Sequence, residues 1–77
     1  MRYFFDLVGN GQITQDIDGL ECKNFEAMRA RAMSILAEVA AHSTAKSDLQ
    51  MLSVHVRDSA QPVYHATLTI EGAAIQG

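Results

Sequence analysis

The chain has 77 residues, of which 48% are hydrophobic and 19% charged, and its formal net charge is −3. This composition excludes a disordered chain and predicts one globular domain, spanning residues 1–77, close to the lower size limit for a stable core. The acidic balance and the presence of only 6 Lys and Arg residues argue against a protein that binds nucleic acid chiefly through its phosphates.

The cysteine content and the N-terminus indicate where the protein works. Cys22 is the only cysteine, so an intramolecular disulfide and a cysteine-built zinc site are excluded, and a reducing compartment is indicated. Asp6 interrupts the apolar run at the N-terminus, which is therefore too short for a signal-peptide core or a membrane span. We expect a soluble, cytoplasmic protein that makes no membrane contact.

The first predicted element is a β-hairpin. Aromatic and branched residues from Arg2 to Val8 form one strand, and Gln12 to Ile17 form the returning strand. Between them, residues 9–11 have the sequence Gly-Asn-Gly, which supplies the positive φ angles that a tight turn requires.

The register of this hairpin has two alternatives. A two-residue turn pairs Val8 with Ile13, whereas a three-residue turn pairs Leu7 with Ile13, and a shift of one residue exchanges the faces. We favour the three-residue turn because it directs toward the helix an apolar row that no charged residue interrupts: Tyr3, Phe5 and Leu7.

A helix is predicted from Asn24 to about His42. Apolar side chains recur there at steps of three and four residues, which places them on one stripe of a helix. Asn24 stands at the N-cap position, and Glu26 adds negative charge at the positive end of the helix dipole. The stripe that we expect in the core consists of Phe25, Met28, Ala32, Ile35, Leu36 and Val39.

A second hairpin follows a polar surface loop that is predicted at residues 43–48. Apolar and polar residues alternate in two stretches joined by a turn from Asp58 to Pro62, which predicts two half-buried strands. The residues expected to face the helix are Leu52, Val54, Val56, Tyr64, Ala66, Leu68 and Ile70.

Together these elements predict an α+β domain of ββαββ order, in which two β-hairpins form one antiparallel four-stranded sheet packed on a single α-helix. If the hairpins join through their first strands, the strand order is 2-1-3-4. One face of the sheet then has no helix over it.

Three segments of the chain resemble a known family. They are the opening Arg2-Tyr3-Phe4-Phe5-Asp6, the acidic turn from Asp16 to Glu21, and Val54-His55-Val56-Arg57-Asp58, after which Pro62-Val63 follow. With the alanine-rich helix, this pattern resembles the small bacterial family catalogued as domain of unknown function 6894, over nearly the whole chain. The resemblance implies a compact α+β domain with no established activity, ligand or site residues.

His55 and His65 are the candidates for a metal site. Both fall on the sheet face opposite the helix, and the turn between their strands can place them directly across from each other. Closed zinc sites need about four ligands, and the sequence places no carboxylate beside the pair, so a solvated face is the better interpretation. No catalytic residue or cofactor-binding motif is indicated, and we expect neither an enzyme nor a bound cofactor.

Apolar residues on the same face favour a protein interface. Phe4, Val8 and Val63 are the candidates, because an apolar surplus on a small domain often marks a partner surface. The sequence therefore favours a non-enzymatic interaction or regulatory accessory module that forms a homodimer, with another protein as a further candidate partner. The alternatives are a nucleic-acid-associated, antitoxin-like regulator that uses Arg57, and a metal or small-ligand binder that uses His55 and His65.

Overall fold

The computed structural model of the protein describes residues 1–9, 11–42 and 49–76. In chain order its elements are β1 (Arg2–Gly9), β2 (Gln12–Thr14), β3 (Leu20–Glu21), α1 (Phe25–His42), β4 (Leu49–Arg57) and β5 (Pro62–Glu71). The polar loop predicted at residues 43–48 lies outside the described residues. Within the described part of the chain, no helix has the length and apolar character needed to cross a membrane.

The strands form one antiparallel sheet on which α1 packs, so the predicted α+β class is confirmed. Four of the strands lie in the order β2-β1-β4-β5, which is the order expected if the hairpins join through their first strands. The structure departs from ββαββ in the fifth strand, β3, which pairs with Arg2 and Tyr3 at the start of β1. A strand of two residues is too short to show an alternating pattern, so the sequence does not predict it.

The favoured register of the first hairpin is wrong. Val8 pairs with Ile13 and Gly9 pairs with Gln12, so only two residues separate the paired strands. The apolar row on β1 faces the helix whichever turn is used, which is why that row could not decide the register. With the observed pairing, Ile13 shares the sheet face of Val8 and is 75% exposed.

Gly9 and Gly11 are both suited to their positions beside this two-residue turn. A Cβ on Gly9 would lie 2.7 Å from Leu52 Cδ2, so a residue without a side chain allows β1 and β4 to stay together at this point. Gly11 has φ of +77, the left-handed conformation that a two-residue turn requires. Gly9 therefore belongs to the ladder and leaves the turn one residue shorter than expected.

The helix begins where its cap was predicted. Asn24 Oδ1 accepts a hydrogen bond of 2.8 Å from the Ala27 N–H, which satisfies one of the unpaired donors of the first turn. At the other end, His42 Nδ1 lies 2.9 Å from the Glu38 carbonyl oxygen. The side chain of His42 therefore serves the C-terminus of α1, as a residue in the last turn can.

The core lies between α1 and the central strands. Its buried side chains include Met28, Ala32 and Leu36 from α1 and Leu52, Val54 and Val56 from β4, all of which were predicted there. Two other members of the predicted core are exposed instead, Phe25 at 50% and Ile70 at 37%. Phe25 packs edge-on against the Tyr64 ring of β5, with the ring centroids 5.8 Å apart.

The second hairpin closes through a turn that Asp58 holds. Its Oδ1 accepts hydrogen bonds of 2.8 Å from the N–H groups of Ala60 and Gln61. These two bonds hold the pKa of the Asp58 carboxyl below its usual range. A β-bulge between Val56 and Arg57 accommodates the turn in the ladder of β4 and β5.

Truncation of Leu36 tests the packing of the helix on the sheet. Leu36 is only 6% exposed, so we expect Leu36→Ala to lower the free energy of unfolding by about 2 to 5 kcal/mol. Urea denaturation followed by circular dichroism measures this loss. Glu38→Ala, at an exposed position of the same helix, should change it by less than about 0.5 kcal/mol. An unchanged urea midpoint for Leu36→Ala would contradict the packing described here.

Candidate functional site

Most of the residues that the sequence singled out lie on the outer face of the sheet, the face turned away from α1. Strand pairing arranges them in rows across the strands. Asp6 on β1 pairs with His55 on β4, and His55 pairs with His65 on β5. Phe4 pairs with Arg57 in a neighbouring row. The outer face therefore brings together both candidate metal ligands and two of the candidate interface residues, Phe4 and Val8.

Arg57 organises one end of the outer face. Its Nε donates a hydrogen bond of 2.9 Å to Asp6 Oδ2, and its Nη2 donates one of 2.9 Å to the Asp16 carbonyl oxygen. The guanidinium carbon lies 4.6 Å from the centroid of the Phe4 ring, which is the geometry of a cation–π contact. Phe4 is therefore half-buried beneath Arg57 and is not a bare apolar surface.

Asp16 fills a gap in the pairing of β1. Its Oδ2 accepts the Phe5 N–H at 3.0 Å, at a position of β1 that neither β2 nor β3 pairs. Its Oδ1 accepts the Gly19 N–H at 3.1 Å, and its own N–H donates to Asp6 Oδ1 at 2.9 Å. The carboxylate thus replaces a strand neighbour, a role that the sequence did not predict because turn chemistry alone explained an acidic residue there.

The three charged residues Asp6, Asp16 and Arg57 are called the Arg57 cluster below. Burial raises the pKa of the Asp6 carboxyl, but hydrogen bonds from Arg57 and from the Asp16 N–H, together with the charges of Arg57 and His55, outweigh it. The pKa of Asp6 therefore lies below its ordinary value of 3.8. Asp6 is ionised at neutral pH and is occupied in binding these donors.

His55 and His65 lie directly across from each other, as predicted. Their rings stack with centroids 5.8 Å apart and planes 22° from parallel, and both side chains are exposed. Stacked rings turn their faces, and not their nitrogen lone pairs, toward each other. Within the described residues, no group of three His, Cys, Asp or Glu side chains is placed to hold a metal ion.

The candidate interface residues lie in different surroundings. Val8 is half-buried on the outer face, and Val63 is half-buried and packs against the core. The structure adds three exposed apolar side chains to this face: Ile13 at 75%, Met51 at 59% and Leu49 at 57%. Ile13 was assigned to the other face through the wrong register, and Met51 was missed although it alternates with the buried Leu52.

A groove of about 490 Å³ opens between α1 and β1. Its floor includes the apolar Phe5 and Leu7, and its walls include Arg31 and Ile35 of the helix and residues 14–18. The groove lies beside the helix because α1 packs mainly on β4 and β5, while Phe5 of β1 is itself buried in the core. Within its described lining, no nucleophile is paired with a base.

The two edges of the sheet differ sharply. On one side the sheet ends in the short strands β2 and β3, of 3 and 2 residues, which both pair with β1, and Asp16 fills the gap between them. At the opposite edge, among the described residues, β5 pairs with β4 alone. This open edge of β5, meaning the side not paired with β4, is 10 residues long and contains no Asp, Glu, Lys or Arg between Tyr64 and Ile70.

A family model described as Domain of unknown function (DUF6894) matches residues 2–69. The chain belongs to this family. Searches of curated proteins and of solved structures found no match.

In this DUF6894 chain, the three segments that carried the resemblance contribute one residue each to the Arg57 cluster. The structure therefore gives those segments a role in holding the fold together.

Asp6→Asn tests the Arg57 cluster. At neutral pH the substitution removes the charge that Arg57 pairs with, so we expect a loss of about 1 to 3 kcal/mol in the free energy of unfolding. Because the native pKa of Asp6 is depressed, its contribution is complete above pH 3.8 and disappears as the pH falls through the native value. Urea denaturation at neutral and at acid pH should show wild type and variant converging in acid.

Asp18→Asn is the matched control for this measurement. Asp18 is exposed, and no hydrogen bond or ion pair of its carboxylate occurs within the described residues, so its substitution should cost less than about 0.5 kcal/mol. A loss for Asp6→Asn as small as that for Asp18→Asn, or one that does not shrink in acid, would contradict the proposed role of Asp6.

Titration with zinc tests the histidine pair. Because the rings stack, the Asp6 carboxylate beside His55 is bound to Arg57, and no group of three His, Cys, Asp or Glu among the described residues is placed to hold a metal ion, we expect no saturable zinc binding at neutral pH by calorimetry. Saturable binding that is lost in both His55→Ala and His65→Ala would overturn this expectation and establish the pair as a ligand site.

Proposed function

We propose that this protein is a non-enzymatic interaction module, regulatory or accessory in role, that forms a homodimer through the open edge of β5. The observation that carries the proposal is the contrast between the two sheet edges within the described residues: one consists of the short strands β2 and β3 with the Asp16 carboxylate between them, and the other is the 10-residue strand β5, whose outer side is unpaired. An unpaired edge presents a row of N–H and C=O groups that a second strand can bind.

The open edge lacks the features by which proteins usually prevent strand pairing. Lysines, inward charges, bulges and prolines protect natural edges. In β5 the proline and the bulge lie together at its start, next to the turn, and the strand beyond them has the composition of a pairing strand, with Thr67, Thr69 and Ile70 β-branched. Edge-to-edge pairing by antiparallel strands is also an established mode of protein recognition.

The outer face supports self-association less well than the edge does. Arg57 covers Phe4, and the row of Asp6, His55 and His65 is polar, so water can solvate this part of the face. Exposed apolar side chains remain on this face beyond the polar row, namely Ile13, Leu49 and Met51. The interface candidates Phe4 and Val8 therefore stay as a second route to the dimer, and Val63 lies on β5 itself.

The competing functions have less support from the site. Arg57, on which the nucleic-acid alternative depends, already donates to Asp6 and Asp16, so its charge is neutralised within the fold. Residues that could perform chemistry are engaged structurally: Asp6 and Asp16 hold backbone donors, and the Cys22 thiol is buried. A single buried thiol also agrees with the cytoplasmic location that we propose.

Sedimentation equilibrium at micromolar concentration tests the dimer. We expect a mass of twice 8.4 kDa for the wild type and dissociation of the double variant Thr67→Lys, Thr69→Lys, because two lysines per copy at the edge repel the incoming strand. Met51→Lys is the control, since Met51 is exposed on the outer face but lies one strand away from the edge. A monomeric wild type would overturn the proposal, and dissociation by Met51→Lys would transfer the interface to the face.

A further inference from the structure

We propose that two copies join their β5 strands antiparallel about a twofold axis at Thr67, so that the register of the interface is set by the strand itself. This inference rests on the proposed edge dimer and adds the residue pairing within it. A twofold axis is expected because the same strand supplies both sides of the interface, which makes the contact self-complementary.

The ends of β5 limit the ladder. Pro62 has no N–H to donate, so pairing with a second chain begins at Val63, and Glu71 is the last residue of the strand. An antiparallel ladder that uses this whole span places Val63 opposite Glu71 of the partner subunit and brings Thr67 opposite its own copy. Moving the axis by one residue in either direction shortens the ladder by a pair at each end.

Antiparallel pairing also decides which side chains meet. Residues opposite each other lie on the same face, so the helix-facing residues of one strand meet those of the other. With the axis at Thr67, Tyr64 lies opposite Ile70 of the partner subunit, and Ala66 lies opposite the partner subunit's Leu68. Pairs of an aromatic with a β-branched residue are among the more favourable cross-strand pairs.

This register covers the two apolar side chains that depart from the predicted core. Ile70 is 37% exposed and Phe25 is 50% exposed, and Phe25 packs edge-on against Tyr64. The partner subunit's Ile70 would therefore lie beside Tyr64 and the ring of Phe25, at both symmetric ends of the interface. With the axis at Leu68 the partner subunit's Ile70 would lie opposite Ala66, and with the axis at Ala66 it would lie opposite Pro62, outside the ladder.

The resulting dimer is one continuous sheet with both helices on the same side. A twofold axis perpendicular to the sheet leaves each strand's faces unchanged, so the two outer faces also join. On that joined face His65 lies opposite Thr69 of the partner subunit, and Thr67 lies on the axis. All three side chains are exposed in one copy, so each can be replaced without disturbing the core.

Disulfide crosslinking of variants that each carry one added cysteine on β5 tests this register directly. Under mild oxidation, Thr67→Cys should form a covalent dimer by itself, because the two copies of this position face each other at the axis. His65→Cys and Thr69→Cys should each stay uncrosslinked alone and form a covalent heterodimer when the two proteins are mixed and allowed to exchange subunits. The native Cys22 is 5% exposed, so wild type serves as the background.

Met51→Cys is the matched control, because this position is exposed on the same face but lies on β4. Suppose the protein is a dimer by sedimentation. A crosslinked heterodimer in the mixture of Thr67→Cys with Thr69→Cys would then place the axis at Leu68. A crosslinked heterodimer in the mixture of His65→Cys with Thr67→Cys would place it at Ala66. Either result overturns the register and leaves the edge dimer intact. A dimer that crosslinks at none of these positions overturns the edge interface, whereas a monomer overturns the proposed function itself.

Discussion

The ion pair between Arg57 and Asp6 is the contact on which the side of the sheet formed by β1, β2 and β3 depends. Arg57 lies at the end of β4 and Asp6 in the middle of β1, and together they hold Asp16 by its carbonyl oxygen and its N–H. Asp16 in turn accepts the Phe5 N–H, which no strand pairs. Charges removed from water are costly unless they are paired and hydrogen-bonded, and here Arg57 and Asp6 pair with each other while the Asp16 carboxylate replaces a missing strand neighbour. The cluster thereby completes the pairing of β1, so that the sheet ends in short strands on that side and in the long strand β5 on the other.

Much of the fold follows from periodicity. Steps of three and four residues identified α1 and its buried face, and alternation identified the strands that contain Val54 and Ala66, because burial on one side imposes a period on the sequence. The register of the first hairpin could not be obtained in this way. Both turn lengths leave the same apolar row of β1 facing the helix, so periodicity along β1 does not distinguish them, and in the structure Gly9 pairs with Gln12 in the ladder. β3 was missed for a related reason, since two residues show no period.

The candidate site was predictable only where it follows from pairing along a single hairpin. His55 and His65 face each other across one turn, so the turn length sufficed to place them opposite each other. Arg57 covers Phe4, but these two residues lie far apart in the sequence, on β4 and β1. Alternation along β1 showed only that Phe4 faces away from the helix. The sequence therefore predicted more exposed apolar surface at Phe4 than the structure has, and it did not predict the exposed side chain of Met51. Strand alternation assigns a side chain to a face, and its neighbours on the adjacent strands decide how much of it remains exposed.

The segments that mark the family and the strand proposed to bind a partner differ in a way that bears on function. The family segments meet in the Arg57 cluster, where the charged side chains of Asp6, Asp16 and Arg57 are hydrogen-bonded within the fold. The part of β5 beyond Val63 contributes no residue to this cluster. A small domain of this kind buries a limited share of its surface and has little stability to spare. A second copy on the open edge would add buried area and pair the unpaired backbone groups, so folding and association would reinforce each other by mass action. Association would then be part of what keeps the domain folded, and the sheet edge would be under the same constraint as the core.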